Sequence, residues 1–76
     1  MTIDDTIREV LEPLVGKPVT EICIHSVAIK LSKKSEALTV ADLPEVAATM
    51  RESLGAFATQ SLIDGAVAEI ARRSAA

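Results

Sequence analysis

The segment from Val19 to Leu31 is apolar on more sides than a chain of 76 residues can easily bury. Drawn as a helix at about 100° per residue, it has one main apolar stripe made of Cys23, Ile24, Val27, Ala28 and Leu31. Ile22 and Ile29, one heptad apart, lie together inside the opposite, polar arc. A helix with two apolar faces needs two packing partners. In so short a chain, we expect the second partner to be another molecule.

The same segment also has features of a β-strand. Its β-branched residues favour extended structure, but the alternation of apolar and polar positions changes phase at Ser26. A single strand would therefore need a bulge at that point. No other segment reads as a good pairing strand, so a strand here would have to pair across a dimer. We predict a helix over 19–31, with an α+β fold paired across a dimer as the alternative.

A helix is predicted before this segment. Thr2 followed by Asp5 fits a capping box at its start, with Asp in place of the usual Glu or Gln. Pro13 disfavours a helical conformation at Glu12, so the helix is expected to end or kink there. Its inward face is predicted to hold Ile3, Ile7, Val10, Leu11 and Leu14. The run Gly16-Lys17-Pro18 that follows is typical of a turn.

Another helix is predicted after the polar stretch 32–36. Asp42 is expected to cap it, with Pro44 in the first turn and Glu45 completing a capping box. The helix is predicted to run to about Phe57. Its inward face would hold Leu43, Val46, Ala47, Met50, Leu54 and Phe57.

The last predicted helix starts at Thr59 or Ser61. Its apolar stripe is predicted to be Leu62, Ala66, Val67 and Ile70. Gly65 lies inside this helix, where it costs about 1 kcal/mol relative to alanine. A close helix crossing at Gly65 is the expected reason for a glycine there.

The two halves of the chain match one another at a constant offset. Ile7-Arg8-Glu9 falls on Met50-Arg51-Glu52. Further matches pair Leu11 with Leu54, Leu14 with Phe57, Val19 with Leu62, Glu21 with Asp64, Ile24 with Val67, Val27 with Ile70 and Ala28 with Ala71. Duplication of a helix–turn–helix unit and chance similarity are both open interpretations, since two copies can match by chance.

Residues 1–76 are therefore predicted to form a single small all-α domain. Its architecture would be four short helices arranged as two αα-hairpins. We expect the chain to be a homo-oligomer, most simply a dimer, whose interface is formed by Val19, Ile22 and Ile29.

Cys23 and His25 are the only reactive pair in the sequence. Two residues apart on a helix, they would not share a face, and nucleophilic catalysis would also need an orienting group. A metal site needs three or four ligands. We expect a packed cysteine and an exposed or capping histidine, with no catalytic, cofactor-binding or metal-binding residues and no cofactor.

Composition argues against nucleic-acid and membrane partners. Eight basic and eleven acidic residues give a net charge of −3, which does not favour anionic surfaces. One Phe and no Tyr or Trp leave no aromatic platforms for stacking bases. Asp64 and Glu69 on the last helix would be repelled by DNA phosphates.

Size, acidity and the four-helix layout are similar to those of acyl carrier proteins. That family attaches its carrier group to a serine in an Asp-Ser-Leu motif. The corresponding stretches here are Lys34-Ser35-Glu36-Ala37 and Gln60-Ser61-Leu62, and neither carries the motif. A carrier role is therefore not expected.

These features favour a non-enzymatic protein-interaction module. It would be a small acidic helical homodimer that docks a larger protein as an adaptor, an inhibitor or an assembly subunit. The alternatives are an accessory subunit of a larger enzyme complex and a small transcriptional regulator. With no signal peptide or transmembrane run visible in the sequence, we expect a cytoplasmic location.

Overall fold

Four α-helices make up most of residues 2–75, the part of the chain that the computed structural model describes. They are α1 (Ile3–Val15), α2 (Lys17–Leu31), α3 (Leu43–Leu54) and α4 (Gln60–Ala75). Two 3₁₀ turns, Ser35–Ala37 and Val40–Asp42, lie between α2 and α3. No strand occurs within the described residues, so the all-α prediction is confirmed.

The alternative in which 19–31 is a strand is wrong, because this segment lies within α2. Its β-branched residues each cost a helix well under 1 kcal/mol relative to alanine. Burial of a side chain such as Ile24 or Val27 gains about 1.5–3 kcal/mol. Both are buried, at 3% and 0% exposure. Packing of the inner face therefore outweighs the local preference for extended structure.

Each helix packs against two others, α1 and α3 both contacting α2 and α4. The buried apolar core between them is aliphatic, apart from one methionine and one cysteine, and draws on every helix and on the α2–α3 connection. It comprises Ile7, Val10, Leu11, Cys23, Ile24, Val27, Leu38, Val46, Met50, Leu54, Ile63, Ala66 and Ile70. This core leaves one face of each helix turned outward.

The start of α1 follows the sequence prediction, but its end does not. Thr2 Oγ1 accepts a hydrogen bond from Asp5 N at 3.4 Å, as a capping residue should. The expected end or kink at Glu12 is wrong, because α1 continues through Pro13 to Val15. Pro13 stands in the last turn, and the Glu12 carbonyl accepts from Gly16 N at 3.0 Å. Pro13 has no N–H to donate to the Glu9 carbonyl, so it costs α1 one hydrogen bond, but only two helical residues follow it.

The predictions for α3 and α4 need three corrections, which concern the cap of α3, Phe57 and Leu62. Asp42 precedes α3, but its carboxylate makes no capping bond to that helix and instead accepts from Thr39 N at 2.9 Å. Because α3 ends at Leu54, Phe57 falls in the following turn and is 62% exposed. Ile63 is buried in place of Leu62, which is 38% exposed.

Gly65 is not at a helix crossing. A Cβ built there would meet nothing within 4 Å outside the local helix, and the residue is exposed. The predicted close approach is therefore wrong. Leu14, expected on the inner face of α1, is also 45% exposed, because it lies beside the end of the bundle.

The sequence repeat corresponds to matching positions in the fold. Several matched pairs are buried in both halves, namely Ile7 with Met50, Leu11 with Leu54, and Val27 with Ile70. Two ion pairs match as well. Arg8 Nε lies 3.0 Å from Glu21 Oε2, and Arg51 Nε lies 3.4 Å from Asp64 Oδ1, each pair spanning 13 residues. The α3–α4 pair is thus a structural counterpart of the α1–α2 pair.

Candidate protein-interaction face on α2

The outer face of α2 carries two large apolar side chains in solvent. Ile22 is 58% exposed and Ile29 is 63% exposed. On the opposite side of the same helix, Cys23, Ile24 and Val27 are buried. The prediction of a helix with two apolar faces is therefore confirmed. We call Ile22 and Ile29 the α2 ridge.

Two polar residues lie between the ridge isoleucines. Ser26 Oγ donates to the Ile22 carbonyl at 2.9 Å, so this hydroxyl is folded back onto its own helix. His25 is exposed. Because residues three and four apart are neighbours on a helix surface, Ile22, His25, Ser26 and Ile29 form one continuous patch.

Both ends of α2 are fixed by backbone geometry. Gly16 adopts φ 87°, a conformation open mainly to glycine, and its carbonyl accepts from Thr20 N and Thr20 Oγ1. At the other end Ser32 is left-handed, at φ 52°. Lys33 N donates to the Ala28 carbonyl at 3.0 Å, which closes the last turn. The ridge therefore lies on a helix with well-defined ends.

Ion pairs tie α2 to both neighbouring helices. Glu21 binds Arg8 of α1, and Lys30 Nζ lies 2.6 Å from Glu52 Oε2 of α3. The hydrogen bond to Glu52 raises the pKa of Lys30. These pairs stand on either side of the ridge, so it is flanked by charged groups that already have partners.

An open groove of about 950 Å³ runs beside the ridge. Arg8 and Glu21 lie at one end of it, and the segment 32–36 lies at the other. Arg8 also lies 2.7 Å from Asp4 and 3.6 Å from Asp5, so one guanidinium faces three carboxylates at that end. Carboxylates therefore outnumber the guanidinium next to this end of the groove, which Arg8 and Glu21 line and Asp4 and Asp5 do not.

Asp4 is the most buried carboxylate of that cluster, at 6% exposure. Burial alone would raise its pKa. Hydrogen bonds from Thr2 and Arg8, together with the charge of Arg8, nevertheless bring the pKa of Asp4 below its usual value. In turn, hydrogen bonds to Glu21 and Asp4 raise the pKa of Arg8, which stays cationic.

Cys23 and His25 are not brought together. Cys23 is in the core at 1% exposure, and burial raises the pKa of its thiol to about 11. His25 faces the opposite, solvent side of α2. The prediction of a packed cysteine and an exposed histidine is confirmed, and the pair does not form a nucleophile and its base.

The third predicted interface residue, Val19, is half-buried and packs against the core. The exposed apolar surface of α2 is therefore made by Ile22 and Ile29. Leu14 and Leu62, which the sequence assigned to the core, are partly exposed instead.

Among residues 2–75, no three His, Cys, Asp or Glu side chains are grouped so that they could hold a metal ion. Within the same range, none of the helices has the length and apolar character needed to cross a membrane. Comparisons with protein-family models, with characterised proteins and with solved structures find no match to this chain.

Proposed function

We propose that this chain is a non-enzymatic protein-interaction module that self-associates through the α2 ridge. In this proposal the two consecutive helix pairs act as αα-hairpins, and the homodimer forms on the first of them. The remaining surface would then dock a larger protein, as an adaptor, an inhibitor or an assembly subunit. The observation that carries the proposal is the exposure of Ile22 and Ile29 on a helix whose other face is already buried.

The counterpart helix α4 supports this interpretation. By the sequence repeat, Gly65 and Arg72 take the places of Ile22 and Ile29, while Ala66 and Ile70 keep the buried positions. The α3–α4 pair therefore folds without a large apolar group at either of these two outward positions. The α2 ridge is an addition that the fold does not require, as expected for a binding surface.

Burying the ridge in an interface would contribute a substantial free energy to dimerisation. Fully burying an isoleucine gains about 1.5–3 kcal/mol, and Ile22 and Ile29 are each more than half exposed. Each would therefore gain about 1–2 kcal/mol in an interface. A two-fold interface contains every contact twice, so the ridge alone makes a favourable contribution to dimerisation.

The test is the solution mass of the double variant Ile22→Lys/Ile29→Lys. We expect the wild-type chain to be dimeric and this variant to be monomeric, with helicity largely unchanged because both side chains are exposed. A matched control is Val40→Lys/Phe57→Lys, which adds the same charge at side chains that are 54% and 62% exposed. The control should keep the wild-type mass. A double ridge variant that stays dimeric would show that the ridge is not the interface.

The accessory-subunit alternative depends on a different feature, the exposed His25 beside the ridge. If the chain contributed a group to another protein's active site, His25 would be the available one, because Cys23 is buried and its pKa is raised. His25→Gln should then abolish activity of the reconstituted complex. Unchanged activity in that variant would remove this alternative.

A further inference from the structure

We infer that the partner on the α2 ridge is a second copy of this chain whose α2 runs antiparallel to the first. The inference rests on the proposed self-association and adds its geometry. In this arrangement the two-fold axis passes between His25 and Ser26, and Ile22 of each copy lies against Ile29 of the other.

The patch is complementary to itself in this orientation. Ile22 and Ile29 are about 10 Å apart along the helix axis, at 1.5 Å per residue. Between them Ser26 is short, and its hydroxyl is bonded to the Ile22 carbonyl; the exposed His25 lies on the other edge of the ridge. Two projecting side chains separated by a shallow position allow an identical, reversed face to interdigitate with them. Each copy then contributes both isoleucines to one continuous apolar contact.

Charge distinguishes the antiparallel from the parallel arrangement. Lys34 lines the far end of the groove and has no ion pair within residues 2–75. The near end holds Glu21 in the cluster where one guanidinium faces three carboxylates. A parallel dimer would place the Lys34 ends side by side, and the acidic ends likewise. The antiparallel dimer brings Lys34 of each copy toward the acidic end of the other.

A second lysine, Lys17, does not cancel this preference for the antiparallel arrangement. Lys17, at the start of α2, is about 130° around the helix from the ridge at 100° per residue, so it points away from the seam. At the other end, Ser32 leaves the helix in a left-handed conformation and carries the chain toward the groove. Glu36 lines the same end of the groove as Lys34, so that end is mixed in charge. The preference therefore comes mainly from the three carboxylates around Arg8, because the antiparallel arrangement keeps the two acidic ends apart.

Cysteine cross-linking under mild oxidation tests this geometry in the full chain. The native Cys23 gives a clean background, because it is buried and its pKa is raised to about 11. Ser26→Cys, close to the two-fold axis, should form a covalent dimer with itself. Ile22→Cys and Ile29→Cys should form one only when the two variants are mixed. In each single variant the introduced thiols are about 10 Å apart along the seam, beyond the roughly 7 Å Cα separation that a disulfide spans.

The outcomes separate this inference from the proposed function. A wild-type chain that is monomeric by light scattering overturns both, and assigns the ridge to a different protein. A dimer in which Ile22→Cys cross-links to itself overturns the antiparallel geometry and leaves self-association standing. A dimer with no cross-link at any of these positions would place the interface on another face. That result would contradict both the antiparallel geometry and self-association through the α2 ridge. Mixed-only cross-linking of Ile22→Cys with Ile29→Cys supports the antiparallel dimer.

Discussion

Replacing Ile22 and Ile24 by alanine, one at a time, compares the two faces of α2 with identical chemistry. Ile24 is 3% exposed and belongs to the core, whereas Ile22 is 58% exposed. Truncating a buried isoleucine to alanine costs about 2–5 kcal/mol, because the removed groups leave a cavity. Surface substitutions usually change stability by no more than about 0.5 kcal/mol. We therefore expect Ile24→Ala to lower the free energy of unfolding by several times more than Ile22→Ala.

The loss at Ile24 is large for a domain of this size. A core in a chain this short supplies on the order of 3–5 kcal/mol of net stability, so Ile24→Ala should be substantially unfolded at 25 °C. The assay is urea unfolding followed by far-UV circular dichroism, on chains diluted until light scattering shows monomers. Equal destabilisation by the two variants under those conditions would refute the assignment of inner and outer faces. At higher concentration Ile22→Ala should also lose stability, because dimerisation stabilises the folded chain by mass action.

Further predictions concern the backbone, the carboxylate cluster and the thiol. Gly16→Ala should destabilise the fold by about 1–3 kcal/mol, because φ 87° with ψ 162° is strained for alanine. Gly65→Ala should stabilise it by about 1 kcal/mol, since the added Cβ meets nothing; thermal unfolding measures both, and opposite signs would contradict the backbone description. The pKa of Asp4 is lowered in the folded chain, so its stabilising contribution is complete above the unfolded pKa of about 3.9 and is lost on further acidification. Acid titrations should therefore show a steeper loss of stability in the wild type than in Asp4→Asn. Parallel curves of stability against pH for the two proteins would contradict a lowered pKa of Asp4. Cys23 should react with a thiol reagent at pH 8 only as the chain unfolds, because the thiol is buried and its pKa is raised to about 11; rapid labelling of the native chain would contradict its place in the core.

The periodicity of α2 was sufficient to predict both of its faces. An apolar stripe at helical spacing identifies the side that the core needs, and Ile22 and Ile29 then remain outside it. The end of α1 could not be predicted in the same way. The effect of Pro13 depends on how many turns follow it, and only the packed structure shows that α1 stops at Val15.

The boundary between α3 and α4 explains the errors at Leu62 and Phe57. Leu62 and Ile63 both fit a stripe through Ala66, and the choice between them depends on where the preceding turn ends. Because α3 stops at Leu54, the chain passes through a turn before α4 begins, which buries Ile63 and exposes Phe57. Local sequence patterns do not fix the length of such a turn, since tertiary packing decides it.

Light scattering behind a sizing column, over a concentration series, shows whether the α2 ridge joins two copies of this chain. We expect a dimer for the wild type and for Val40→Lys/Phe57→Lys, and a monomer for Ile22→Lys/Ile29→Lys. A wild-type chain that stays monomeric throughout the series, or a ridge variant that remains dimeric, would contradict this expectation.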